Sequence, residues 1–190
     1  MFGMCFSVQC VVIPACAWCR SAGGTVLRPE PGAEPQVDGQ ATLYMMVGLP
    51  GAGKTTRAKE IEAAHAALRL TPDEWIFALC GNDLDRPTRD AVRDPVEALQ
   101  WQVAQRALAL GCKVVLDWGF WSGAERTMYR ARAEELGATV KMIFLDAPTE
   151  ALWSRIARRD ASTMGTLAIS RAELEQWAAL FEPPTEDELV

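Results

Sequence analysis

The chain has 190 residues, 49% hydrophobic and 23% charged, with a net charge of −6, which suits one globular domain with a proper core. The acidic balance argues against broad electrostatic binding along a nucleic-acid backbone, which needs a basic face, although a local basic patch stays compatible with it. No apolar run is long enough to span a bilayer, so the expectation is a cytoplasmic protein without a membrane partner; oligomeric state is not legible.

Residues 1–40 read as a disordered or loosely ordered extension, and residues 41–190 as the folded domain. Cys5, Cys10, Cys16 and Cys19 crowd this extension. They hold a single C-x-x-C, Cys16-Ala17-Trp18-Cys19, with neither a second pair nor a histidine beyond His65, a poor match to a zinc site. The apolar stretch lacks the basic start of a signal peptide. Arg28–Pro35, rich in proline and glycine, reads as a linker. Cys80 and Cys112 lie far apart in the body and are expected to act as small apolar residues.

Residues 42–47 form an apolar, strand-like run, and residues 56–64 read as a helix. Between them lies Gly48-Leu49-Pro50-Gly51-Ala52-Gly53-Lys54-Thr55, which fits the phosphate-binding pattern G-x-x-x-x-G-K-[ST]. Glycines let backbone turn tightly around an anion, and the following helix presents its positive dipole end. Gly48, Pro50, Gly51, Ala52, Gly53, Lys54, Thr55 and Thr56 are therefore the expected phosphate-binding set. Lys54 would reach the β- and γ-phosphates, and the Thr55 hydroxyl would hold Mg²⁺.

Further along, residues 67–70 read as a second strand, and residues 71–80 as a helix capped by Thr71 with Pro72 in its first turn. Residues 81–89 are polar and turn-rich, the composition of a loop near a substrate. Val96, Leu99, Val103, Ala107 and Leu110 recur at helical spacing, predicting a helix over 93–110 with Trp101 on its flank. Residues 113–117 form a third strand that ends on Asp117. Residues 122–136 form a helix with Ser122 and Glu125 as a capping box. A fourth strand over 139–145 and helices over 149–159 and 170–181 complete the domain. Strands alternating with helices predict an α/β fold, a parallel sheet sandwiched by helices, with ligands beyond the carboxyl ends of the strands.

Polar residues at those ends are the candidates for chemistry. Asp117 suits Mg²⁺ ligation beside a phosphate loop; the plain alternative is a loop cap. Asp73, after the second strand, suits a base at an acceptor hydroxyl, the alternative being a helix-dipole acid like Glu74. Arg155, Arg158 and Arg159, followed by the small-residue loop 161–166, have the look of a lid carrying cations to a γ-phosphate, or of ordinary basic residues at a helix end. Trp118-Gly119-Phe120-Trp121 suits stacking on an acceptor or plugging the core equally well. Arg126 would meet an anionic acceptor group or face water.

With these residues in hand, the order Gly48–Thr56, Asp73, Asp117, arginines 155–159 resembles the small bacterial P-loop kinases related to polynucleotide kinase, zeta toxins and chloramphenicol phosphotransferase. The resemblance covers roughly residues 42–181. It implies a nucleoside-kinase-like three-layer α/β/α fold and a Mg²⁺-ATP-dependent transfer to a hydroxyl of a small molecule or nucleotide-like acceptor. Asp73 would be the base, Arg155 and Arg159 catalytic, and Arg158 on the nucleotide phosphates. These folds commonly add a fifth strand, whereas this chain runs out at residues 182–190, so a shorter sheet is expected. Asp117 is followed by Trp118, not by a second acid, which argues against a ring-forming remodelling ATPase. A nucleotide-binding switch or slow ATPase, a zeta-type toxin kinase and a nucleic-acid end kinase are the other readings.

Overall fold

β1 (Thr42–Val47) is buried along all six residues, as expected of a strand covered on both faces. Alternation splits its side chains. Leu43, Met45 and Val47 meet Trp101, Ala104 and Leu108 of α3 (Arg86–Ala109) and Ala133 of α4 (Gly123–Glu135). Tyr44 and Met46 point the other way, onto Ala58 and Ile61 of α1 (Lys54–His65). The remaining elements are β2 (Leu68–Leu70), α2 (Pro72–Cys80), β3 (Lys113–Gly119), β4 (Thr139–Phe144), α5 (Thr149–Ser162) and α6 (Arg171–Leu180). A computed structural model describes residues 40–81, 85–162 and 169–189. The expected extension over 1–40 therefore lies, but for its last residue, outside the described residues, and its four cysteines with it.

All strand pairs are parallel, in the order β2-β3-β1-β4. From β1 the chain crosses β3 to reach β2, and from β3 it crosses β1 to reach β4. The direction of winding thus reverses between β1 and β3, which opens a crevice at their carboxyl ends. With helices on both faces this is the expected three-layer α/β/α fold.

Three local expectations change. First, β3 runs on to Gly119, so Asp117 lies two residues inside the strand and not at its end. Met45 pairs with Leu116 and Val47 with Gly119, so Asp117 and Trp118 together oppose Met46. Such a bulge inserts an extra residue and re-aims the side chains beside it. Trp118 and Phe120 then fill the core with Tyr129. Of the four-residue aromatic stretch, only Trp121 stays half-exposed.

Second, α3 begins at Arg86, because Asp85 caps it by accepting from Thr88 N (2.9 Å) and Pro87 suits its first turn. Residues 86–89 of the expected loop are helical; 82–84 lie outside the described residues. Its buried face is also rotated from the expected one. Val96, Gln100, Trp101, Ala104 and Leu108 are buried, while Leu99 and Leu110 are more than half exposed. Trp101 carries more apolar area than the leucines it displaces, and Gln100 is tied in by Trp118, whose Nε1 donates to its Oε1 (2.9 Å). Cys80 and Cys112 are exposed and are not core residues.

Third, Arg126 is neither an acceptor ligand nor a surface residue: it is 1% exposed and clamps the C-terminal segment. Its Nε and Nη2 donate to Glu188 (2.9 and 3.0 Å), and its Nη1 to the carbonyls of Phe120 (3.2 Å) and Glu182 (2.8 Å). Arg130 donates to the Glu188 carbonyl. Among the described residues there is no fifth strand; residues 181–189 form this strap, with a 3₁₀ turn at Glu186–Glu188. Removing one partner of a buried pair strands the other. Arg126→Met is therefore expected to lose about 3 kcal/mol in urea denaturation, whereas Leu180→Ala, 64% exposed, loses less than about 0.5 kcal/mol. Equal losses would refute the clamp.

Candidate active site

β1 leaves the sheet wedged between its neighbours. Gly48 N donates to Gly119 O (3.0 Å) and Leu145 N to Val47 O (3.0 Å). At Gly48 φ is +140°, and a Cβ would stand 2.5 Å from Leu145 O, closer than carbon and oxygen can approach. Gly51 (φ +81°) is pressed by α5, where a Cβ would meet Leu152 O at 2.9 Å and Ile156 at 3.0 Å. Backbone therefore lines this turn because side chains cannot. Lys54 reaches across it, its Nζ donating to Leu49 O (2.9 Å). Burial pushes Lys54 down to about 8, against the pull of Asp117 and Asp73.

Asp117 is 6% exposed. Its Oδ2 accepts from Thr71 Oγ1 (3.3 Å), and the Thr55 hydroxyl also bonds the carboxylate. Thr71 begins α2 as expected but makes no capping bond with its side chain, which serves Asp117 instead. Burial pushes the Asp117 carboxyl up, while Thr55, Lys54 and Thr71 pull it down. Among the described residues its Oδ1 is buried without a hydrogen-bond partner. An orphaned carboxylate oxygen beside a threonine hydroxyl fits a hard divalent cation or a water bound to one.

Asp73 sits in the first turn of α2 with its side chain 58% exposed. Two guanidiniums from α3 hold it, and both land on the same oxygen. Arg93 Nη2 lies 3.1 Å and Arg89 Nη2 3.5 Å from Oδ1. No hydrogen bond from the described residues reaches Oδ2. Arg93 continues to Glu97, its Nη1 3.3 Å from Oε1. Trp121 N donates to Glu125 (3.1 Å), and the Trp121 ring lies against Trp177.

A cleft of about 1030 Å³ joins these groups. It takes in Pro50, Gly51, Gly53, Lys54, Thr55, Thr56, Asp73 and Asp117, with Arg155, Arg158 and Arg159 from α5. Arg155 also donates to Gly51 O (3.3 Å). Gly48 and Ala52 do not line it: Gly48 is behind the turn, and Ala52 packs on the cluster of Leu49, Leu152 and Ile156. Of the expected lid loop 161–166, residues 163–166 lie outside the described residues. Sequence reading missed Arg89, Arg93, Glu97 and Glu125 on the opposite wall. The first three recur at intervals of four, one face of a helix, and that signal was hidden by reading 81–89 as loop.

A P-loop turn, a buried acid and a second acid at one end of a parallel sheet point to a family. The AAA_33 family, an AAA domain, matches residues 43–184. The chain belongs to this family. No curated protein matches it. Among solved structures it is similar to a candidate kinase from Chloroflexus aurantiacus (21% identity, TM-score 0.65, 77% of this chain and 83% of that one). It is also similar to a chain of the Pnkp1/Rnl/Hen1 RNA repair complex (21%, 0.63, 78% of this chain) and to Kti12 of Chaetomium thermophilum in complex with ADP-AlF3 (19%, 0.57, 75% and 81%). It spans only 46% of the RNA repair chain. The fold is that of the P-loop kinases, a nucleotide-binding fold.

Glu97 gives this wall a pH signature. Burial pushes its carboxyl up to about 7, against the pull of Arg93. A carboxyl raised on folding contributes stability that is full below its unfolded value, near 4.5, and is lost as pH rises through about 7. Glu97→Gln removes that loss. The melting temperature of the variant minus that of the wild type is expected to grow from pH 5 to pH 8 and then level off; a constant difference would refute the assignment.

Proposed function

We propose that the protein is a Mg²⁺-ATP-dependent phosphotransferase acting on a hydroxyl of a small molecule or nucleotide-like acceptor, working in the cytoplasm. The observation that carries this reading is that a single cleft joins the P-loop turn to Asp73, whose Oδ2 accepts no hydrogen bond from the described residues. A nucleotide switch needs the turn and Asp117, but not a second carboxylate with an oxygen held open beside them.

The loop amides and Lys54 would hold the phosphates of ATP. Thr55 and Asp117 would hold Mg²⁺, which when bound supplies charge neutralisation at the phosphate oxygens. Asp73 Oδ2 takes the proton of the acceptor hydroxyl as its oxygen bonds to the γ-phosphorus. The bond from that phosphorus to the β–γ bridging oxygen breaks, that oxygen leaves on ADP, and Asp73 later returns its proton to water. Arg155, Arg158 or Arg159 would face the charge gathering on the transferred group; Arg155 already donates to Gly51 O of the turn.

Asp73→Asn is expected to lower kcat for transfer of label from γ-labelled ATP by about 10²- to 10⁴-fold with the Kd for ATP unchanged. Lys54→Ala is expected to weaken ATP binding itself. Transfer that survives Asp73→Asn undiminished would remove the base.

A further inference from the structure

The two halves of the cleft differ in charge. Around the turn, the described lining residues include Lys54, Arg155 and Arg158 beside the carboxylate of Asp117. The other half is lined by the carboxylates of Asp73, Asp90, Asp94, Glu97 and Glu125. It also holds three guanidiniums, but each has a carboxylate partner. Arg89 is on Asp73, Arg93 bridges Asp73 and Glu97, and Arg86 lies 2.8 Å from Glu173 while stacking over Trp177.

Recognition of a phosphate monoester needs cationic or backbone N–H donors aimed at it, and the cations lining this half among the described residues are those three guanidiniums. To supply them here, Arg93 would have to leave Asp73 and Glu97 together. The Glu97 side chain is only 19% exposed, and losing its cation there strands a carboxylate away from water. Arg89 and Arg93 also fix which Asp73 oxygen remains open. A phosphate that drew them off would disorder the base it needs. Uncharged hydroxyls and ammonium groups meet the opposite situation. Carboxylate oxygens accept from both, the burial-raised carboxyls of Glu97 and Glu125 can also donate when protonated, and the Trp121 indole offers an apolar face.

Resting on the phosphotransferase reading, we propose that the acceptor half of the cleft, walled by Arg93, Glu97, Trp121 and Glu125, takes an uncharged or amine-bearing alcohol and turns away phosphate esters. Within that site Arg89 and Arg93 are positioning residues for Asp73, and Glu97 determines specificity.

The test uses the full chain with γ-labelled ATP and two acceptor arms. One holds neutral polyols and amino-polyols; the other holds nucleoside 3′-monophosphates and 5′-hydroxyl oligonucleotides. Label is expected on the first arm, with kcat/KM at least about tenfold above the second, a step worth about 1.4 kcal/mol. Glu97→Arg should lower kcat/KM for the best first-arm acceptor at least about tenfold with the KM for ATP unchanged, and its ATP Kd checks that it is folded. Label on the phosphate-bearing arm alone, or equally on both, overturns the inference and leaves the kinase reading standing. Label on neither arm, with ATP still bound, overturns the kinase reading and this inference with it.

Discussion

Everything at the candidate site depends on how closely the backbone of β1 passes its neighbours as it leaves the sheet. Gly48 is bonded to the end of β3 and stands against the end of β4, in a space that excludes even a methyl group. That contact sets where the turn begins, and α5 pressing on Gly51 sets where it goes next. A turn held from three sides is preorganised: its amide groups do not have to be ordered when an anion arrives, so less binding energy is lost to that ordering. It also places Lys54 and Thr55 against Asp117 on the adjacent strand, because β3 is hydrogen-bonded to β1. The bulge at Asp117 and Trp118 divides the labour there, with the carboxylate beside Thr55 and the indole in the core.

The second carboxylate is positioned by different means. Asp73 belongs to the helix after β2, at the far side of β3 from the turn. Nothing in the sheet orients its exposed side chain; two arginines of α3 do that from the side. One wall of the cleft is thus set by backbone packing and the other by an ion-pair chain running from Asp73 through Arg93 to Glu97. The Asp73 end of that chain is exposed and contributes little to stability, so its value lies in geometry. Arg126 is the contrasting case: nearly inaccessible and fully bonded, it ties the C-terminal segment to the turn that carries Trp121 and so steadies the cleft from behind.

Much of this was legible before any coordinates. The P-loop spacing, the strand–helix alternation and Asp73 after the second strand followed from glycine geometry, hydrophobic period and the rule that ligands gather at strand ends, whereas Asp117, expected at the end of its strand, lies two residues inside it. The illegible parts were those decided by tertiary contact. The helical spacing of leucine and valine in α3 suggested one buried face, but Trp101 and the Gln100–Trp118 bond turned the helix to another. Arg126 looks like any helix arginine until residues 60 positions later fold back on it. Arg89 sat in a segment whose polar composition resembled a loop, although its aspartate cap and proline are also the signature of a helix start, and so its place on one helix face with Arg93 was not seen.

The central claim is that Asp73 faces the group transferred from a nucleotide held on the Gly48–Thr55 turn. The most direct measurement is a crystal structure with Mg²⁺, ADP and aluminium fluoride. The expected result has the ADP β-phosphate in the turn and the ligand opposite its leaving oxygen within about 3.2 Å of Asp73 Oδ2. A fluoride group directed away from Asp73, or a nucleotide bound off the turn, would contradict the account.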